Sequence, residues 1–97
     1  MRYWSPWDDQ LLRALRSEFK AYAPILTFVP GREGGVAVLH EQTEIGLWIA
    51  ASRHTYRYLP ADGGPGTAVP CDIMDIIAIN RELFSDLLSA ATRGSAR

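Results

Sequence analysis

The chain has 97 residues, a formal net charge of -1, 47% hydrophobic and 22% charged residues, and one cysteine. That length holds one domain near the lower limit for a self-sufficient core, and the composition excludes intrinsic disorder. The near-neutral balance gives no global field toward nucleic acid or anionic lipid, and a lone Cys71 excludes an internal disulfide.

Ser5-Pro6-Trp7-Asp8 opens a helix. Ser5 caps it, Pro6 takes the first position where its missing N–H costs nothing, and Asp8 completes a capping-box pattern. Leu11, Leu12, Leu15, Phe19 and Tyr22 then form an apolar stripe at helical spacing. Pro24 pushes Ala23 out of the helical region, so the first helix spans roughly residues 6–21.

The middle of the chain reads as strands. Residues 25–29, 36–40, 45–51 and 55–59 are rich in β-formers and are separated by short polar or glycine turns. Short links imply antiparallel neighbours, hence a four-stranded meander. Residues 61–67, with three glycines and a proline, read as a flexible loop. A second helix begins after Pro70, capped by Asp72, and a small-residue tail occupies 93–97. At 100° per residue, Ile73, Ile77, Phe84, Leu87, Leu88 and Ala91 share one side of that helix. Met74, Ile76 and Ile79 make its first turns apolar on the flanks as well. Asn80 falls on the apolar face, where it either caps a second helical segment after a kink or sits at an interface as a register-setting amide.

Helix, four strands and helix give an α+β two-layer sandwich, one domain over residues 1–97, with both helices on one face of the sheet. In the third strand, Ile45, Leu47, Ile49 and Ala51 form the bulkier branched set and are expected to point inward. Gly46, Trp48 and Ala50 then lie on an open face, joined by Ala37, Leu39, Leu26 and Phe28. The competing expectation is that the N-terminal segment or the glycine-rich loop covers Trp48 and completes the core. An apolar sheet face is rarely left in water on a monomer.

Chemistry-bearing patterns are sparse. His40 and His54 have no metal-site spacing, Cys71 is a small residue at a helix start, and Gly63-Gly64-Pro65-Gly66 lacks the lysine of a phosphate loop. No catalytic residue, cofactor or metal is indicated. Arg13, Arg16 and Lys20 share one helix face, and Arg53 and Arg57 flank the fourth strand beside Tyr56 and Tyr58. They define an alternative nucleic-acid surface, which neighbouring acidic residues dilute. A second alternative is a small-ligand pocket between sheet and helices near the two tyrosines.

The leading expectation is a non-catalytic protein-interaction module of adaptor, chaperone-like or regulatory type, bacterial in character and acting as a homodimer. Its expected partner-binding residues are Trp48, Leu39, Phe28, Met74, Ile76, Ile79 and Asn80. No run approaches the ~18 apolar residues of a membrane span, and Met1 leads directly into charged sequence, so a cytoplasmic location is expected.

Overall fold

Ser5 opens the first helix as its spacing predicts. In a computed structural model that describes residues 4–64, 66–70 and 72–95, α1 runs Pro6–Glu18 and continues into a 3-10 turn at Lys20–Tyr22. The Ser5 hydroxyl accepts from the Asp8 N–H, and the Asp8 carboxylate accepts from the Ser5 N–H, both at 3.1 Å. With no N–H on Pro6, two of the three orphan donors at the helix start are thereby satisfied. A cis peptide joins Ala23 to Pro24 at the exit.

The strands follow as β1 (Leu26–Pro30), β2 (Val36–His40), β3 (Thr43–Ser52) and β4 (Thr55–Pro60) in an antiparallel meander. A short β5 (Thr67–Pro70) extends the sheet beyond β4. It takes the end of the segment expected to be loop. Before it, the chain is held by Ala61 N–H on the Ile45 carbonyl and by Gly64 N–H on the Asp62 carboxylate. The two-residue turn Glu41-Gln42 joins β2 to β3, both residues at positive φ, the geometry that matches strand twist in a tight hairpin. Gly35, at φ +75°, lets the β1–β2 loop press against the Trp48 carbonyl on β3.

The C-terminal segment is two helices, α2 (Ile73–Leu83) and α3 (Ser85–Ser95), capped by the reciprocal Asp72–Asp75 pair. The break falls at Phe84, four residues later than the kink considered at Asn80. Helix α3 carries the chain through residue 95, so the tail expected from 93 is helical over its described part. The remainder of that tail and Cys71 lie outside the described residues.

The N- and C-terminal helices share one core with one face of the sheet. Leu11 and Leu15 of α1, Phe19 at its C-cap, and Ile76, Ile77 and Phe84 of the C-terminal segment pack with Leu26, Phe28, Val36, Val38, Trp48 and Tyr56. Register places those strand residues on one face, since Val36 pairs with Trp48 and Val38 with both Phe28 and Gly46. The fold is the α+β sandwich that the element order implies.

Candidate functional site

The sheet is oriented opposite to the expectation drawn from β3. Trp48 is fully buried beneath the helices, with Gly46 and Ala50 beside it, whereas Leu47 and Ile49 are half-buried on the other side and Ala51 is exposed. Volume and polarity decide this. A tryptophan needs both depth and a partner for its N–H. The Trp48 Nε1–H donates to Asn80 Oδ1 at 3.0 Å, and Asn80 Nδ2 donates to the Ile76 carbonyl at 2.8 Å. Each residue supplies what the other requires, and both are inaccessible to water.

Four residues expected at a partner surface are therefore interior: Trp48, Phe28, Ile76 and Asn80. Asn80 serves the core as a hydrogen-bonding hub. Ile79 is half-buried and packs on the same cluster. Of the helix flank, Met74 alone stands out, 70% exposed. Apart from Met74, the last helix thus has its apolar surplus buried in a core shared with α1 and the sheet, and α2 supplies the hydrogen-bond partner of Trp48.

Tyr56 and Tyr58 both pack into the space between sheet and helices. Tyr58 packs against Trp48 at 5.1 Å and edge-on to Phe84 at 6.1 Å, and its hydroxyl donates to the Ile45 carbonyl. Tyr56 is buried, its hydroxyl donating to the Arg53 carbonyl. Burial, and secondarily the Asp62 carboxylate, push the Tyr58 hydroxyl above its ordinary range. Gly46 makes this packing possible, because a Cβ there would run into the Tyr58 ring.

The basic residues divide between layers. On α1, Arg13 pairs with Asp9 at 2.7 Å, and Arg16 Nε donates to the Phe28 carbonyl on the outer edge of β1. That contact occupies a backbone acceptor on an edge strand, which limits pairing with other chains. Arg16 and Lys20 also line a groove between α1 and β1. Arg57 sits on the opposite side of the sheet, paired with Ile49, and Arg53 occupies the β3–β4 turn. The sheet separates the two groups instead of uniting them in one phosphate-tracking surface. Among the described residues, no three His, Cys, Asp or Glu side chains converge as a metal site, and no helix is long and apolar enough to cross a membrane.

The helix-free face is the remaining candidate. Val29, Ala37, Leu47 and Leu59 stand in register across β1, β2, β3 and β4 and form one continuous aliphatic row. Leu39 extends it on one side, between Thr27 and Glu44, and Ile49 on the other, beside Arg57. Ala37 is buried and Val29, Leu39, Leu47, Ile49 and Leu59 are half-buried, with Gly31 and Gly35 of the β1–β2 loop against the Leu47 and Ile49 side chains. An antiparallel sheet with one solvated face normally alternates apolar inward and polar outward. This one is apolar on both. Of the expected surface residues, Leu39 lies here; Leu47 and Ile49 were expected inside. The missed signal was the joint need of Trp48 for an acceptor and Asn80 for a donor.

Comparison with family models, with curated proteins and with solved structures returns no match.

Proposed function

We propose that the chain is a non-catalytic protein-interaction module whose binding surface is the helix-free face of its sheet. The observation that supports this reading is the row Val29–Ala37–Leu47–Leu59, which crosses four strands without a polar interruption. Antiparallel sheets pack face to face through such rows, about 10 Å apart. Apolar patches of this kind on soluble chains mark interaction sites. The rim supplies polar contacts through Thr27, Glu44 and Arg57, the core-and-rim composition of a protein interface.

A photocrosslinking side chain at Leu39, introduced in cells that express the chain, tests this. Discrete protein adducts are expected, and Leu47→Lys in the same background should abolish them while circular dichroism and melting stay unchanged. Absence of adducts at Leu39, or adducts indifferent to Leu47→Lys, would refute the reading. A probe at Met74, on the far layer, serves as the control.

A further inference from the structure

The charges on the helix-free face are arranged for a second copy of the same face. Arg57 and Glu44 are both exposed, and among the described residues neither enters an ion pair. They flank the aliphatic row on opposite sides. Arg57 pairs with Ile49, two residues beyond Leu47 along β3, while Glu44 lies on the other side, across a bulge between Val38 and Leu39. Each charge therefore stands roughly 7 Å from the row, at about 3.4 Å per strand residue.

A two-fold axis lying along the row, between two facing sheets, reverses strand direction while keeping the strand order. It lays row on row, so that Leu47 meets the equivalent residue of the other copy. It also carries Glu44 of one copy to the side of the row that Arg57 occupies in the other, one strand away. A strand step of about 4.8 Å and a sheet separation of about 10 Å are spanned by an extended arginine meeting a glutamate. Symmetry repeats the contact, since a two-fold interface joins each residue to its counterpart twice. A two-fold along the strands has no such match, because it brings Arg57 toward the glycine-rich β1–β2 loop.

We infer that the partner of this face is a second copy of the chain, docked sheet to sheet about a two-fold along the Val29–Leu59 row, with two reciprocal Arg57–Glu44 pairs fixing its register. The inference rests on the helix-free face being the binding surface. It adds the identity of the occupant and the residues that orient it.

Light scattering on wild type should give twice the chain mass at micromolar concentration. Arg57→Glu and Glu44→Arg should each weaken the dimer by about tenfold or more, because each sets like charges across the axis twice. The double reversal, and an equimolar mixture of the two single variants, should restore it. Should a reversal fail to fold, Arg57→Gln and Glu44→Gln test the same pair, the combination weakening association no more than either alone. The inference is overturned if wild type is monomeric, if both reversals leave association unchanged, or if the mixture stays monomeric. A monomer that still crosslinks through the Leu39 position to a different protein also overturns it, and leaves the face as a binding surface.

Discussion

Replacing Asn80 by leucine isolates the polar contact at the centre of the core. Asn80 and Trp48 are both 0% exposed, so no water can take over a lost hydrogen bond. Leucine has the same number and branching of side-chain heavy atoms as asparagine, with bulkier methyl groups at the tip, and so leaves no cavity. The Ile76 carbonyl keeps its backbone partner within α2, so losing the Asn80 amide there costs little. The Trp48 N–H, by contrast, loses its acceptor, and a buried donor left unpaired costs about 1–3 kcal/mol. Added apolar surface returns up to about 1 kcal/mol. The expected loss is about 1–2 kcal/mol, or a Tm lower by about 4–16 °C for a chain of this size.

Urea unfolding followed by far-ultraviolet circular dichroism measures it, with an unchanged m-value certifying the same folded and unfolded states. The decisive comparison is a cycle with Trp48→Phe. Once the indole N–H is gone, Asn80→Leu no longer strands a donor, and its cost should fall to nothing or reverse sign. A coupling of about 1–2 kcal/mol is expected between the two positions. Coupling below about 0.5 kcal/mol, within the scatter of independent sites, would refute the assignment of Asn80 as the partner that holds Trp48 in the core.

Gly46→Ala should destabilise by about 1–3 kcal/mol, because the new methyl meets a Tyr58 ring already held by Trp48 and Phe84; thermal melts should show most of the loss removed in a Tyr58→Leu background. The Tyr58 hydroxyl, raised above its ordinary value of 10.0, stabilises the fold fully below that value, and its contribution is lost as pH rises through the higher folded value. Wild type should therefore lose more stability than Tyr58→Phe in urea titrations carried upward from pH 10, after the phenylalanine variant starts about 0.5–1.5 kcal/mol lower for want of the Ile45 contact. Met74→Glu should change stability by less than about 0.5 kcal/mol, whereas Ile76→Glu should abolish the cooperative transition, since it puts a charge where no water reaches.

Much of the architecture was legible because its signals are local. Ser5 and Asp8, and Asp72 with Asp75, each carry a cap that needs only four residues to recognise. Four strands stand out through β-formers between turns. The fifth is short, ends on Pro70 and carries no periodicity, so it is defined by its pairing with β4 and not by its own residues. The tight β2–β3 hairpin was hidden for a similar reason, because Glu41 and Gln42 lack the Asn-Gly signature that usually announces two positive φ angles. The helix break at Phe84 has no proline or glycine to mark it.

The orientation of the sheet was illegible from β3 alone, and for a reason that bears on function. From Ile45 to Ala51 every residue is apolar or glycine, so alternation supplies two apolar sets and no polar set to exclude from the core. The choice between them is made far away, by Asn80, which offers an acceptor only to the Trp48 side. Having lost that contest, the branched set of Leu47 and Ile49 still faces outward with the aliphatic neighbours it would have had in a core. A strand whose two faces are equally fit for burial is what a two-layer fold does not need and a third layer does. The ambiguity that defeats the reading of β3 is therefore itself the argument for a layer supplied from outside the chain.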